Sequence, residues 1–500
     1  MDHTETLPQK KTIGILILLL AIAIFLRFFH LGFRSLWMDE AYTVWLANHS
    51  IGELFQLLRT DTHPPLVYLF VHFWEWWGRS EAYLRAPSAL LGVLNVLFVF
   101  LLGEKLFGRS VGIIAACFWT FSYLAIDFET QVRWYAYAIF AMLAATYAFW
   151  RALQSGTRKS WLLYITLMAV SIYVVYFCAL VYVAHATVLI AKRRTLAFWG
   201  TLLSLIFLGL PGLFIFWSQT RGERIPFPRT YLADLPNMIA ALTGTYPFLR
   251  SASGLSISIV LVAIATILLS AYASIRLRRE RHDALLLVLS LLLFTFALPF
   301  SLALCKLWPY QLRYLIFPAP FVFMLIAAGI LNSRTGLLLL LPVSICFLFV
   351  NGSLWFFGRT SYAYELQNWR LAASTLNERL QSGDSIIVDA FMSIYPLAYY
   401  LPNRLQLIRR GESNFIEDPS PTGKVYWYPI SNHVPLPAIM KAASSSKRKW
   451  LVLCQDAALS LDRKTLREFS QAYQAEEAFR LNGEEPIEIY RFGIPLKQTY

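Results

Sequence analysis

The chain has 500 residues, of which 57% are hydrophobic and 15% are charged, and its formal net charge is +14. Soluble domains carry roughly 25% charged residues, so this composition excludes an ordinary soluble protein. In a membrane protein, a cationic excess marks cytoplasmic loops and contacts with anionic lipids. The sequence has no arginine-rich arm and no basic stripe with interleaved aromatic residues, so we expect no nucleic-acid partner.

About eleven stretches are apolar enough to cross a bilayer, which needs about 20 apolar residues per helix. They are residues 12–31, 88–107, 110–126, 134–152, 160–177, 178–192, 196–217, 255–275, 284–304, 313–331 and 335–357. The first stretch is too long for the apolar core of a signal peptide and predicts a retained anchor. The tightly spaced pair at 160–177 and 178–192 is the weakest division.

Basic residues in alternate loops set the predicted orientation. Clusters such as Lys10-Lys11 and Lys192-Arg193-Arg194 would share the cytoplasmic side, which places the N-terminus in the cytoplasm. The outer side then receives residues 32–87, 127–133, 218–254, 305–312 and everything after 358. Several arginines fall on that outer side, against the usual bias, and this suggests an anionic ligand there. We expect a plasma membrane protein.

The composition changes after about residue 358. Strands are predicted at 385–390, 424–428, 450–454 and 486–492, and helices at 369–381 and 462–475. This alternation predicts a small extracytoplasmic α/β domain over residues 358–500, after a helical membrane domain over residues 1–357. Two outer segments, 41–58 and 230–245, read as helices lying in the membrane interface.

Two adjacent acids, Asp39 and Glu40, follow the first predicted span. Ionisable groups at such a place are a functional-site hypothesis. A carboxylate with an ordinary pKa near 3.9 is ionised at neutral pH and can accept a proton from an attacking hydroxyl. The alternative is that both acids cap a helix that begins at Ala41, where they favour the helix dipole.

Three further outer positions are candidates for binding. His63 precedes Pro64-Pro65 at a rigid corner, where it would contact phosphate or a metal or orient a carboxylate, or serve only as a turn histidine. Arg85 lies at the mouth of the second span and is more typical of an anchoring cation. Arg133 would enter a span, where a charge is costly without a partner, and this favours a function.

Two short outer segments concentrate polar groups beside aromatic residues. The first contains Asp127, Glu129, Arg133 and Tyr135, and the second contains Lys306, Gln311, Arg313 and Tyr314. Cations held in this way would clamp a phosphate, and arginine offers a planar fork of donors. The alternative for the second segment is an interfacial aromatic belt with anchoring cations.

Common nucleotide and protease motifs are absent: the sequence has no Walker A loop, GxGxxG, HExxH or GxSxG. A nucleotide-driven pump and a nucleotide-sugar Rossmann enzyme are therefore disfavoured. No metal site is predicted, because no second histidine lies at ligand spacing from His63. No cofactor is required, and a divalent metal is compatible with these residues but not indicated.

The order of the motifs resembles that of the GT-C membrane glycosyltransferases. The motifs are Asp39-Glu40, His63-Pro64-Pro65-Leu66, Arg85-Ala86-Pro87-Ser88, Gln131 to Ala136, and Arg313-Tyr314. Within that group they are similar to the dolichyl-phosphate-mannose protein mannosyltransferase-like family, which includes aminoarabinose transferase-like members. The resemblance covers about residues 10–330.

The resemblance implies a sugar donor carried on a polyprenyl phosphate and transfer at the outer face with inversion of the anomeric carbon. The acid of the first loop maps onto Asp39 as the general base, and the Arg-Tyr positions map onto Arg133 with Tyr135 and onto Arg313-Tyr314. Many members read Gln-Glu-Ala-Arg where this chain has Gln131 within Thr-Gln-Val-Arg. Asp127 or Glu129 would then supply the missing acid.

The sequence therefore predicts a polytopic, largely helical glycosyltransferase that moves a hexose, with mannose as the suggested sugar, to a glycan, lipid or protein acceptor. A sugar–phosphate bond breaks through an oxocarbenium-like state, and the departing phosphate needs fixed cations. The alternatives are a transporter or flippase of polyprenyl-phosphate lipids and a scaffold without catalysis. Transporters place ionisable groups at the midplane and show repeats, whereas the predicted spans of this chain are largely free of acids and no repeat is visible.

Overall fold

The computed structural model of the protein is predominantly helical, with a small sheet near the C-terminus. It describes residues 8–219, 230–242, 268, 270–277, 279–307, 310–332, 347–348, 351–353, 355–360, 367–388, 391–402, 406–410, 413–417, 426–429, 448–454, 462–481 and 486–495. Parts of the predicted spans 255–275 and 335–357 lie outside these residues, as do Arg221 and Arg224, two of the arginines predicted to lie on the outer side.

The chain divides into two compact units. One unit comprises Met1–Leu31 with Ser50–Phe356, and the other comprises Gly32–His49 with Phe357–Tyr500. We call them the membrane unit and the C-terminal unit. The segment Gly32–His49 thus groups with the C-terminal residues, whereas the sequence analysis assigned it to the membrane domain.

The membrane unit is built from apolar helices. They are α1 Gln9–Phe28, α2 Ile51–Leu57, α3 Leu66–Trp74, α4 Glu81–Phe107, α5 Arg109–Phe121, α6 Tyr123–Phe128, α7 Tyr135–Ser155, α8 Arg158–Val174, α9 Ala179–Ala191, α10 Thr195–Gln219, α11 Leu235–Leu242, α12 His282–Leu292, α13 Leu298–Leu304 and α14 Ala319–Asn332. A π-helical turn, Leu293–Ala297, joins α12 to α13.

Five helices of the described chain are long and apolar enough to cross a membrane, as expected of a multi-pass membrane protein. They are Gln9–Phe28, Glu81–Phe107, Tyr135–Ser155, Thr195–Gln219 and the continuous stretch His282–Leu304. Shorter apolar helices cover Arg109–Phe121, Tyr176–Ala191 and Ala319–Asn332. The division between 160–177 and 178–192 is present, because α8 ends at Val174 and Val175 adopts an extended conformation before α9.

Close packing of α4 against α5 depends on small residues. A Cβ on Gly103 would lie 2.8 Å from the Cα of Gly112, and a Cβ on Gly112 would lie 2.7 Å from the carbonyl oxygen of Phe100. Gly108 connects the two helices with a φ of 106°, in the left-handed region that glycine tolerates. Such small-residue contacts let membrane helices approach closely.

The C-terminal unit contains the segment that follows the first span and a mixed sheet. Its helices are α15 Met38–Ala47, numbered after the membrane helices although it precedes them in the chain, α16 Trp369–Arg379, α17 Ile394–Tyr400 and α18 Asp462–Ala472. Its strands are β1 Ser385–Val388, β2 Gln406–Arg410, β3 Ser413–Glu417, β4 Tyr426–Pro429, β5 Lys449–Cys454, β6 Tyr473–Leu481 and β7 Ile487–Pro495.

The main sheet has the order β4-β1-β5-β7-β6. β1 pairs in parallel with β4 and β5, whereas β7 pairs antiparallel with β5 and β6. β2 and β3 form a separate antiparallel pair. Helix α18 packs Phe469 against buried residues of β5 and β7, so the predicted α/β domain is present. The predicted helix 462–475 ends at Ala472, because the next residues pair with β7 as β6.

Candidate functional site

Asp39 and Glu40 occupy the first turn of α15 in the C-terminal unit. Glu40 is fully buried, and its carboxylate accepts a hydrogen bond from the backbone N–H of Trp37 at 3.4 Å. This contact gives Glu40 the helix-capping role that was predicted as the alternative, although the helix begins at Met38 and not at Ala41. Asp39 is only partly buried, which makes it the more accessible of the two carboxylates.

The start of α15 is fixed by polar residues of the C-terminal part of the chain. Ser35 Oγ donates to the backbone oxygen of Gln367 at 2.6 Å, and the N–H of Met38 donates to the Gln367 side chain at 3.1 Å. The N–H of Leu36 donates to the Tyr400 hydroxyl at 2.8 Å. Gln367 therefore orients the turn that carries Asp39, a role that no sequence motif indicated.

His63 lies in a hydrogen-bonded loop of the membrane unit. Its Nδ1 lies 3.2 Å from Asp61 Oδ1, and the Tyr68 hydroxyl donates to Asp61 Oδ2 at 2.6 Å. Burial alone would raise the pKa of the Asp61 carboxyl, but hydrogen bonds from His63, Tyr68 and the Thr62 backbone lower it below its usual value. Gln219 donates to the backbone oxygen of His63 at 3.0 Å, so α10 also holds this corner.

Trp134 connects the His63 loop to the polar segment that precedes α7. The ring centroids of Trp134 and His63 lie 5.9 Å apart. The indole centroid is also 4.4 Å from that of Tyr135 and 6.1 Å from that of Tyr314. Trp134 is 3% exposed. Trp134 was not selected as a candidate from the sequence, yet it links three separate stretches of the chain.

Arg313, which lies much later in the sequence, contacts the same cluster. Its Nη1 donates to the Tyr135 hydroxyl at 3.4 Å across a separation of 178 residues. Trp134, which follows Arg133 directly, has its ring 6.1 Å from the ring of Tyr314, and Tyr314 follows Arg313. Two predicted cations and both predicted tyrosines are therefore neighbours, although they come from different segments. Phe177 stacks on Tyr314 at 4.9 Å and supports it.

Glu129 lies in a buried network of polar side chains. Arg27 donates from Nε and Nη2 to Glu129 Oε2 at 2.8 and 2.6 Å. Asn95 and Trp119 donate to Oε1 at 2.7 and 3.0 Å. All four side chains are at most 2% exposed. The donors come from α1, α4 and α5, so this network supports a positioning role for Glu129. A role in substrate binding stays a prediction.

Arg27 was not selected as a candidate, although the sequence does carry a signal for it. Arg27 is an ionisable residue inside the first predicted span, and such residues are functional hypotheses by default. Asn95 and Trp119 carried no comparable signal. Close to this network, the amide of Gln131 donates to Asp127 Oδ2 at 3.4 Å. Asp127 is therefore the acid that contacts the position where the family pattern has glutamate.

Three candidates remain: Arg85, Lys306 and Gln311. Arg85 is 4% exposed and donates from Nη1 to the backbone oxygen of Leu31 at 3.1 Å, which ties α4 to the end of α1. Lys306 is exposed on the turn after α13, with a φ of 60°. Gln311 is partly buried and begins the 3₁₀ turn Leu312–Ile316 that carries Arg313. Their substrate-binding roles stay predictions.

No group of three His, Cys, Asp or Glu side chains in the described part of the chain has an arrangement that would hold a metal ion. Asp39 and Glu40 belong to the C-terminal unit, whereas the other candidates belong to the membrane unit. The expected meeting of Asp39 with Arg133 and Arg313 stays a prediction.

Comparison with solved structures identifies the fold. The chain resembles ArnT from Cupriavidus metallidurans in the apo state with a TM-score of 0.60 and 10% identity, covering 96% of this chain and 98% of that one. This is the GT-C fold. The fold predicted from the motifs is therefore confirmed. ArnT bound to undecaprenyl phosphate matches with a TM-score of 0.56, 11% identity and the same coverage.

Two further comparisons extend this result. An archaeal oligosaccharyltransferase, AglB from Archaeoglobus fulgidus in complex with an inhibitory peptide and a dolichol-phosphate, matches with a TM-score of 0.52 and 12% identity. That match covers 78% of this GT-C chain, which spans 64% of the AglB chain. The family model described as dolichyl-phosphate-mannose-protein mannosyltransferase matches residues 62–217. No curated protein sequence matches the chain.

The family match covers only part of the candidate site. It includes His63, Arg85, Glu129, Arg133 and Tyr135. The acid pair of α15 and the Arg313-Tyr314 pair lie outside it, so their family roles depend on the short motifs alone.

Proposed function

We propose that this GT-C protein is a polyprenyl-phosphate-dependent glycosyltransferase that transfers a hexose, with mannose as the suggested sugar, to an outer-face acceptor. The observation that carries the proposal is the convergence of Arg133, Tyr135, Arg313 and Tyr314 in the membrane unit. These residues come from two segments that the sequence analysis had selected separately. A lipid phosphate is the ligand that suits two arginines and two phenols at a membrane boundary.

The two arginines would stabilise the phosphate as it leaves. During transfer, the bond between the anomeric carbon and the phosphate oxygen breaks, and negative charge grows on the polyprenyl phosphate. Guanidinium groups held in place before the reaction stabilise that charge without reorganising. The Tyr135 hydroxyl, which contacts Arg313 at 3.4 Å, would orient that guanidinium toward the phosphate.

Asp39 would act as the general base. It takes the proton from the acceptor hydroxyl while the acceptor oxygen forms the new bond to the anomeric carbon and the polyprenyl phosphate departs with the electron pair. Attack opposite the leaving group inverts that carbon. The partial exposure of Asp39 supports this role better than the buried, helix-capping environment of Glu40 does.

The orientation follows from the distribution of basic residues. Lys10-Lys11, Arg158-Lys159 and Lys192-Arg193-Arg194 would face the cytoplasm of a plasma membrane protein. The C-terminal unit would then be extracytoplasmic. The donor would be a polyprenyl-phosphate sugar, and membrane lipids would surround the helices.

The test is release of labelled sugar from a polyprenyl-phosphate donor by the purified chain in membranes, using Asp39→Asn. We expect the variant to insert and fold normally and to lose transfer by at least about a hundredfold, the lower range for loss of a general base. Glu53→Gln is the matched control, because Glu53 is an exposed acid that caps α2 through Ser50. Transfer by Asp39→Asn at the control rate would remove Asp39 from the base role, and absence of transfer by the unmodified chain with several donor sugars would reject the enzyme.

A further inference from the structure

Aromatic rings on α4 and α7 lead toward a cavity beside Lys105 and Arg151, and we call the rings and the cavity together the groove. Its upper part is lined by rings: Phe98 lies 5.3 Å from Phe140 and 6.2 Å from Tyr147, in edge-on contacts. All three rings are partly exposed. Residues seven apart lie two helical turns apart on one face, so Phe98 and Lys105 share a face of α4.

The lower part of the groove is a cationic cavity. A cavity of about 470 Å³ is lined by Lys105, Tyr147, Arg151, Gln154 and Ser155. Both cations are exposed, and the ion pairs of the described residues include neither of them. Among the described residues, none that lines the cavity carries a carboxylate.

Glu104, the sequence neighbour of Lys105, is engaged elsewhere. It pairs with Arg109 at 3.1 Å. Two cations, a phenol and an amide therefore remain as hydrogen-bond donors for an incoming anion, while the Ser155 hydroxyl already contacts Ser160 Oγ at 2.7 Å. Donors of this kind around a small concave space suit a phosphate group.

The cavity is far from the candidate donor site. Lys105 follows Arg85 by 20 residues of one helix, which at 1.5 Å per residue is about 30 Å, the thickness of a bilayer core. Arg133 precedes α7, whereas Arg151 lies close to the C-terminal end of that helix. The cationic cavity is thus at the opposite end of these helices from Arg133.

We propose that this groove binds an anionic phospholipid of the leaflet opposite the catalytic face. The phosphate of the head group occupies the cavity between Lys105 and Arg151, and one acyl chain follows the rings of Phe98 and Phe140. A free phosphate would fill only the cationic cavity, whereas a lipid would also cover the aromatic upper part of the groove. This site does not depend on the proposed transferase activity.

The test measures lipid binding to the full chain in neutral detergent by native mass spectrometry, with phosphatidylglycerol and phosphatidylcholine as probes. Each cation near an anionic head group contributes about a fivefold preference, so Lys105→Gln with Arg151→Gln should weaken phosphatidylglycerol binding roughly 30-fold. Phosphatidylcholine binding should change little. The matched control is Arg158→Gln with Lys159→Gln, two exposed cations of the same predicted face that do not line the cavity.

Two further measurements separate the alternatives. Glycerol phosphate, which has the head group without acyl chains, should fail to displace the lipid; displacement at equal concentration would replace the lipid by a free-phosphate site. Phosphatidylglycerol with a photoreactive acyl chain should label peptides that contain Phe98 or Phe140 in the unmodified chain, even if the double variant does not fold. Equal weakening in both double variants, or labelling elsewhere only, would overturn the proposal.

Discussion

Replacing Glu129 by glutamine should destabilise the membrane unit strongly. The carboxylate accepts from Arg27 on one oxygen and from Asn95 and Trp119 on the other. An amide has only one acceptor oxygen, so either orientation turns its NH₂ group against a donor. If the NH₂ group faces Arg27, the guanidinium also becomes an uncompensated buried charge.

The expected loss is about 3–5 kcal/mol, the range measured when one partner of a buried ion pair is removed. Because Arg27 is fully buried and Glu129 is 2% exposed, solvent screening offers little relief. Removing the stranded charge as well, with Arg27→Met and Glu129→Gln together, should recover about 1–3 kcal/mol of that loss.

Reversible unfolding of the full chain in mixed micelles measures these differences. Glu104→Gln is the control, since Glu104 makes a similar pair with Arg109 at 3.1 Å but both side chains are a quarter or more exposed. That substitution should cost at most about 1 kcal/mol. Equal losses for Glu129→Gln and Glu104→Gln, or strict additivity in the double variant, would refute the reasoning.

Three other perturbations test neighbouring features. Gly92→Ala should cost about 1–3 kcal/mol in the same unfolding assay, because a Cβ there would lie 2.8 Å from both members of the buried ion pair, whereas Gly200→Ala, with nothing within 4 Å, should not destabilise. Tyr135→Phe removes the hydroxyl that accepts from Arg313 and should lower transfer about 3- to 10-fold at unchanged stability; an unchanged rate would contradict the orienting role. The lowered pKa of Asp61 implies stability that is present at neutral pH and lost as the pH falls below about 4, so Asp61→Asn should flatten that part of the pH profile of unfolding.

The apolar helices and most strands of the C-terminal unit were predictable because they depend on local composition. Apolar runs of about 20 residues report burial in lipid whatever their partners are, and the four predicted strands of the C-terminal unit correspond to β1, β4, β5 and β7. The error at residues 473–475 has a physical origin. Tyr473, Gln474 and Ala475 were predicted as the end of a helix, yet they begin β6, which pairs with β7 at the edge of the sheet and leaves Gln474 and Ala475 exposed.

The candidate site was predictable only as separate segments. Short motifs selected Arg133, Tyr135 and Arg313, but nothing in the sequence shows that a hydrogen bond joins two of them across 178 residues. Asn95 and Trp119 were missed because an amide and an indole inside apolar runs look like ordinary helix residues. Their importance comes from the carboxylate that they face, and that contact exists only in the folded chain.

The departure from the family pattern at Gln131 left two acids as substitutes, and the geometry separates them. Glu129 already compensates the charge of Arg27 and accepts from Asn95 and Trp119. Moving it toward a substrate would expose a buried guanidinium, at a cost of several kcal/mol. Asp127 is partly buried and contacts the Gln131 amide at 3.4 Å. If transfer needs a second acid at this turn, Asp127 is therefore the residue that can supply it while the buried ion pair stays intact.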